Sequence, residues 1–391
     1  MNKLSIPSVI ILAIILNIVG LVTIYSAGGN VYFLRELLWT TIGIGLLFIV
    51  IKIPIRFWEN FSSHIFFITL LLLILVLFLG KGSARRWFDL SIFNFQPSEL
   101  AKLAIILYIA QRWAYKKVEF LPKDLLLPLL AILAYSALVF LEPDLGSGLI
   151  FLPILAGMMV WQGFSIFQVF LLFSPLFSFV FGFSTYLWIL YFVAFAVISY
   201  RRITIVSWIV VLMINILAGL SSPIIWSNLK DYQKARIIGF LSPWLDPKGM
   251  SWNLIQSQIA IGSGRIFGKG FLSGTQKKLA FLPNRQTDFI FSTLSEEFGF
   301  IGAIITLGLY FALLYNIFRI AQKAQNEFAR LVAIGIFMVL SYQVVVNIGM
   351  VLGLLPITGI ALPFLSYGGS SLIISYLMIG LVVRIHKESQ V

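Results

Sequence analysis

The chain has 391 residues, 60% hydrophobic and only 11% charged, with 28 Lys and Arg against 15 Asp and Glu and a formal net charge of +13. A soluble domain carries about a quarter charged residues, so this composition excludes one. Zero Cys excludes disulfides, thiolate metal sites and Cys nucleophiles, and two His (His64 and His386) argue against a His-rich zinc site.

The positive excess suits anionic partners, phospholipid head groups or phosphates, and nucleic acid is not expected among them. Apolar runs long enough to cross the roughly 30 Å of bilayer hydrocarbon recur along almost the whole sequence. Only helices or closed barrels satisfy backbone polar groups in lipid, and continuous runs without period-2 alternation choose helices. The expected fold class is therefore an all-α polytopic membrane protein of about twelve transmembrane helices.

The predicted spans run near 5–26, 33–51, 61–80, 98–114, 125–141, 146–162, 164–182, 185–199, 203–220, 293–317, 330–352 and 368–384. The first follows Lys3 and ends near Tyr25, Ser26 and Ala27, as a secretory signal would, but it exceeds a typical signal core and reads as a retained span. Lys52 and Arg56, then Arg112, Lys116, Lys117 and Lys123, then Arg201 and Arg202, then Arg319, Lys323 and Arg330 all fall on one side. Both chain ends fall there too, and the positive-inside rule makes that side cytoplasmic. Two basic connections fall on the other face. One is short and holds Lys81, Arg85 and Arg86. The other, 221–288, carries nine Lys and Arg (Lys230, Lys234, Arg236, Lys248, Arg265, Lys269, Lys277, Lys278 and Arg285) against Asp231, Asp246 and Asp288. Long loops translocate regardless of charge, which covers the second but not the first, so an anionic ligand is expected on the outer face.

Ionisable groups in or beside spans are costly and are functional candidates by default. Glu99 and Lys102 share one face of the fourth helix, and Glu142 and Asp144 flank Pro143 between spans five and six. Lys102 and one of the latter carboxylates can pair inside the bundle, either to fix helix packing or to serve a substrate. Glu296 and Glu297 open a helix, where acidic residues commonly serve the helix dipole. Asp288 precedes Phe289, Ile290 and Phe291, which desolvate it, and follows nine basic residues that hold it ionised. Such opposed influences can tune a general base. Glycines crowd 262–274, as in anion-binding nests or a flexible loop, but Lys269 lacks the spacing of a Walker A motif. A second Gly- and Ser-rich break, 362–371, precedes the last span.

Five stretches then resemble a known family. They are GSARRWFDLSIFNFQPSELAKLA (82–104), EPDLGSG (142–148), DYQKARI (231–237), QSQIAIGSGRIFGKGFLSGTQ (256–276) with FLPNRQTDFIFSTLSEEFG (281–299), and NIGMVLGLLPITGIALPFLSYGGSS (347–371). In this order they resemble the SEDS proteins (shape, elongation, division, sporulation), the RodA branch in particular. The resemblance implies a single membrane domain over 1–391 with a large extracytoplasmic loop, 221–292. It further implies a peptidoglycan glycosyltransferase in the bacterial cytoplasmic membrane that polymerises lipid II beside a class B penicillin-binding protein. The essential aspartate of the family maps to Asp288. Trp87, Glu99, Lys102 and Asp144 map to other family motifs. Gln276, Thr287 and Ser366 lie in matching motifs and join the substrate-binding candidates. The family has about ten spans, whereas 164–220 has room for three where one is usual, an added hairpin. Asn284 stands where Glu is common, and Ala361 where Pro is common.

The implied chemistry joins a sugar hydroxyl to an anomeric carbon whose leaving group is polyprenyl diphosphate. An inverting displacement needs a base at the acceptor and cations at the diphosphate. Asp288 is the implied base. Arg85, Arg86, Lys269, Lys277 and Arg285 are the cationic candidates, and Mg²⁺ or Mn²⁺ can share their task, although no dedicated metal motif is visible. The polyprenyl tails are expected in a groove between helices, open to membrane lipid. The rival reading is a lipid II flippase with Glu99, Lys102 and Asp144 along its path. A pure scaffold for the penicillin-binding protein is a third.

Overall fold

The computed structural model describes residues 7–80, 85–89, 94–115, 122–229, 231–244, 249, 251–274 and 284–390. The chain is helical almost throughout. In order come α1 (Pro7–Gly28), α2 (Asn30–Lys52), α3 (Ile55–Leu79), α4 (Pro97–Trp113), α5 (Pro122–Leu141), α6 (Leu145–Leu149) and α7 (Phe151–Trp161). These are followed by α8 (Ile166–Phe181), α9 (Thr185–Tyr200), α10 (Ile205–Asn228), α11 (Asp231–Leu241) and α12 (Trp252–Ser263). The last three are α13 (Ile290–Lys323), α14 (Glu327–Val351) and α15 (Gly369–Glu388). A two-residue antiparallel ladder, Phe88–Asp89 against Asn94–Phe95, precedes α4.

Each predicted span coincides with helix. Among the described residues, eight helices are long and apolar enough to cross a membrane, while Leu145–Trp161, Ile166–Phe181 and Thr185–Tyr200 are shorter. A span needs about 20 residues, so the expected twelve exceeds what length and composition alone support. The basic stretch is also more ordered than its polarity suggests. It contains α11 and α12, and α10 extends past the predicted boundary at 220. Ser221 donates to the Ala218 carbonyl of its own helix (2.7 Å), and Ser222 donates across to that of Phe179 on α8 (2.5 Å), so both hydroxyls are satisfied.

The chain divides into two compact units, Met1–Gln162 with Pro243–Val391, and Gly163–Ser242. In the first, α4 and α14 are buried on nearly all sides, as expected for helices apolar all round. Helix α15 packs along α2, and α1 packs against α2 and α13. At one end of this bundle Arg384 ion-pairs with Glu388 at 2.7 Å, and Glu388 accepts the Ile55 N–H at 3.1 Å. At the other end, where α1 finishes and α2 begins, lie residues 284–288 and 360–368. The second unit packs α8, α9 and α10 around a polar seam. Asn215 donates to Ser174 Oγ at 2.9 Å and accepts from the Tyr191 hydroxyl at 3.2 Å, while Trp188 Nε1 donates to Ser178 Oγ at 2.9 Å.

Candidate active site

Residues 284–288 form a tight turn leading into α13. Asn284 adopts φ 54°, a left-handed conformation that Asn tolerates better than Glu, which gives this departure from the family pattern a backbone reason. Its carbonyl accepts the Thr287 N–H (3.1 Å) and the Thr287 hydroxyl (3.1 Å). Phe289 and Ile290 are buried, which plants the start of α13 in the bundle and leaves Asp288 half-buried at the rim.

The turn is held by the 360–368 loop. Ser366 Oγ donates to the Thr287 carbonyl at 2.7 Å and accepts the Leu362 N–H at 2.8 Å, and the Tyr367 N–H donates to the Gln286 carbonyl at 2.9 Å. Buried Asn347 on α14 donates to the carbonyls of Asp288 (3.0 Å) and Ile360 (2.7 Å), clamping both segments. Gly359 has φ 75°, and a Cβ there would sit 3.6 Å from Asp288 Oδ2, so a bare backbone passes beside the carboxylate. Asn347→Leu leaves both carbonyls without this donor. The expected loss is about 1–3 kcal/mol, read as a lower thermal midpoint in detergent, with kcat falling more than KM rises.

The loop is held in turn by the first two helices. Asn17 donates to the Phe364 carbonyl at 3.2 Å and accepts from Thr40 Oγ1 at 2.9 Å, and buried Glu36 accepts the Gly368 N–H at 3.3 Å. Arg285 Nε donates to the Ala27 carbonyl at 2.8 Å.

On another flank, Arg86 Nε donates to the Glu142 carbonyl at 2.7 Å, a second N–H donates to the Pro143 carbonyl, and the guanidinium lies 3.9 Å from Asp144. Asp144 caps α6 through the Ser147 N–H (3.1 Å) and accepts from Gln96 at 3.3 Å. Lys102 pairs with Glu99 at 2.6 Å, both buried. The anticipated pairing of Lys102 with Glu142 or Asp144 is therefore replaced by one within its own helix.

Glu142, in the turn after α5, is fully buried, and its carboxylate oxygens have no hydrogen-bond partner among the described residues. Burial chiefly, then the charge of Asp144, pushes it up to about 8, against the lowering influence of Arg86. The folded state thus holds a proton that the unfolded chain releases near the ordinary carboxylate value. Its contribution to stability is complete below that value and is lost as pH rises through about 8. Glu142→Gln keeps a neutral side chain and flattens this dependence. Its thermal midpoint is expected to gain on wild type between pH 5 and pH 8, as measured by melts across that interval.

Glu296 and Glu297 do not serve a first turn. Helix α13 begins at Ile290, and the two glutamates lie buried just before a kink at Gly299 (φ 68°, ψ −164°). Glu296 pairs with Lys269 at 2.8 Å, and Ser26 on α1 donates to Glu297. The Gly-rich segment threads the kink. The N–H groups of Lys269 and Gly270 donate to the carbonyls of Glu296 and Glu297 (both 3.0 Å), and that of Phe300 donates to Arg265 (2.8 Å). A Cβ on Gly299 would meet Gly268 N at 2.2 Å, so the crossing requires glycine.

The structure thus gathers Arg285, Thr287, Asp288 and Ser366 into one assembly, and Arg86, Asp144 and Gln96 into another. The Thr287 hydroxyl proton closes its own turn, that of Ser366 ties the 360–368 loop to Thr287, and Lys269 is engaged with Glu296. Trp87 is 37% exposed, and Arg85 is exposed, donating to the Leu77 carbonyl at 3.3 Å. Gln276 and Lys277 lie outside the described residues. Sequence reasoning missed Asn347, Asn17 and Glu36. Each is a polar residue inside a membrane-length helix, Asn17 with Thr23 and Ser26, Glu36 beside Arg35 and Asn347 near Gln343, and that was the available signal.

The family model for FtsW, RodA and SpoVE, described as "Cell cycle protein", matches residues 6–210 and 184–391. The chain belongs to the SEDS family. Among SEDS relatives, the peptidoglycan glycosyltransferase MrdB of Escherichia coli K12 is 35% identical, over 98% of this chain and 93% of that protein. The peptidoglycan glycosyltransferase RodA of Treponema pallidum is 34% identical over 95% and 94%. A solved chain from a study of a peptidoglycan synthase complex that coordinates polymerization and crosslinking superposes with TM-score 0.75, at 30% identity and 97% coverage of both chains.

Proposed function

We propose that this chain joins lipid II units into glycan strands at the outer face of the bacterial cytoplasmic membrane. It is a peptidoglycan glycosyltransferase, a multi-pass membrane enzyme of the SEDS family. The RodA-like motifs assign it to cell elongation and rod shape, beside a class B penicillin-binding protein that crosslinks the strands. The bundle end bearing Lys52, Arg56 and Arg384 is the cytoplasmic one by the positive-inside rule, both termini lie there, and Asp288 faces the other side.

In the reaction, Asp288 accepts the proton of the acceptor hydroxyl as its oxygen bonds to the anomeric carbon. The bond from that carbon to the diphosphate oxygen breaks, and polyprenyl diphosphate departs. Arg285 and Arg86 stand at the same end of the bundle to meet the developing negative charge. Among the described residues no three His, Cys, Asp or Glu come together to hold a metal ion, so no step is assigned to one. Mg²⁺ or Mn²⁺, as proposed, would take its ligands mainly from the substrate diphosphate.

The observation that carries this reading is the half-buried Asp288 on a turn whose backbone carbonyls are held by Asn347, Ser366 and Tyr367, in a chain that aligns over nearly its whole length with peptidoglycan glycosyltransferases. The groups that would line a flippase path instead close on one another, Lys102 on Glu99 and Asp144 on Arg86 and Gln96. The test is polymerisation of purified lipid II in detergent, with and without EDTA. Strands from wild type but not from an Asp288 variant support the enzyme. No polymer, together with labelled lipid II crossing liposomes, overturns it.

A further inference from the structure

Phe267 is 80% exposed, and Ile266 beside it is exposed too, although both belong to the outer basic stretch rather than to a span. They form the apex of an arch, residues 264–270, that is bonded to α13 on both sides of its kink. The carbonyls of Glu296 and Glu297 take the N–H groups of Lys269 and Gly270, so they are lost to Phe300 and Ile301, their ordinary helical partners. The carbonyls of Arg265 and Ile266 accept those two N–H groups instead, at 2.8 Å and 3.2 Å. Gly268 (φ 82°) lies directly on the kink, since a Cβ there would meet the Glu297 carbonyl oxygen at 2.1 Å.

The depth of the arch in the membrane follows from α13. Beyond Gly299 this helix runs unbroken to Arg319 and Lys323 at its basic end, the cytoplasmic one in the reading above. From Arg319 to Phe300 it climbs roughly 28 Å at about 1.5 Å per residue, against roughly 30 Å of hydrocarbon. Phe300 therefore stands at the outer hydrocarbon boundary, and any tilt of the helix sets it deeper. An unmet N–H is costly at that depth, so the carbonyls that serve Phe300 and Ile301 have to descend to it. Phe300 (63% exposed), Ile304 and Phe311 share one exposed face of α13, and the arch adjoins its upper end through the bonds to Phe300 and Ile301.

We infer that Ile266 and Phe267 insert into the outer leaflet, with Arg265 at the level of the lipid phosphates, so that this arch anchors the outer loop to the membrane surface. Arg265 is exposed, and an apolar apex beside a long cationic side chain is the pattern of an interfacial anchor. The partner is phospholipid rather than protein, because the apex lies at the hydrocarbon boundary and continues a face of α13 that lipid already covers. The contact itself follows from the geometry of the arch. Its use, holding the outer loop at the height of a lipid-linked head group, rests on the glycosyltransferase reading above.

The chain has no Cys, so a thiol-reactive nitroxide marks one introduced site at a time. The full chain is placed in nanodiscs of phosphatidylglycerol and phosphatidylethanolamine with no other protein present. There a label on Phe267→Cys is expected to be relaxed by oxygen and shielded from a water-soluble nickel chelate, as on lipid-facing Phe311→Cys. Lys323→Cys, at the exposed basic end, is the aqueous reference with the opposite pattern. A label at 267 that behaves like the one at 323 leaves the apex in water, and one that neither reagent reaches is covered by protein. Either result overturns the inference. As a second arm, in proteoliposomes, Phe267→Asp is expected to raise KM for lipid II about fivefold with kcat within about twofold. Phe267→Leu keeps an apolar apex and is expected to stay within about twofold of wild type in both constants. Equal losses in the two variants, or none in Phe267→Asp, also overturn it. If the label at 267 meets water while wild type polymerises, the anchor falls alone. If the label meets lipid and wild type makes no polymer, the glycosyltransferase reading falls and the contact stands.

Discussion

Asp288→Asn is expected to abolish strand synthesis without unfolding the protein. The structure separates the two effects, because Asn347 binds the backbone carbonyl of Asp288 and the Gln286 and Thr287 carbonyls are held by Tyr367 and Ser366. Asn fills the same space but cannot take the acceptor proton, so kcat should fall by about 10² to 10⁴. KM should stay within about twofold, since the interaction lost is one made in the transition state. Polymer length by gel and thermal midpoint in detergent are the paired readouts. A scaffold protein would instead keep supporting rod shape with this substitution.

The second large effect concerns stability. Lys102 and Glu99 form a close buried pair on α4, with side-chain exposures of 3% and 10%. Lys102→Met strands the Glu99 carboxylate in the bundle at a cost of about 3–5 kcal/mol. The double variant Glu99→Gln with Lys102→Met removes both charges and should recover most of that loss. Because loss of activity alone would fit a substrate role equally well, the deciding measurement is whether activity returns with stability in the double variant. Activity that stays absent in a stable double variant would place the pair at the substrate.

How much of this was legible beforehand depends on the range of the interaction. The helices could be read because long apolar runs leave the backbone no other way to satisfy its polar groups in lipid. Asp288 is conspicuous in the sequence because it stands where basic sequence gives way to apolar, and its assignment as the base came from the family resemblance. Partners could not. Helical spacing put Glu99 and Lys102 on one face but did not say that Lys102 would choose Glu99 over Asp144. That choice depends on Arg86, which arrives from another segment and occupies Asp144 together with the carbonyls of Glu142 and Pro143. Glu296 and Glu297 looked like first-turn residues because the helix was expected near 293. In the structure Phe289 and Ile290 are buried and set the start earlier, so the glutamates fall at the kink. Asn347 reads as one of several polar residues on its helix, with Ser341 and Gln343, and nothing local tells that it reaches two carbonyls at once.

The clamp on the catalytic turn also has a temporal side. Asn17 belongs to the first helix, and its partner Phe364 lies 347 residues later, just ahead of the last helix. Chains emerge from the ribosome N-terminus first, so Asn17, Thr40 and Glu36 are in place long before the loop they grip exists. Asp288 itself is made before Asn347 and the 360–368 loop that fix its turn. A nascent chain halted before Asn347 would carry Asp288 without the partners that hold its turn. The frame around Asp288 is therefore assembled from both ends of the chain, and it is complete only once the 360–368 loop has been made.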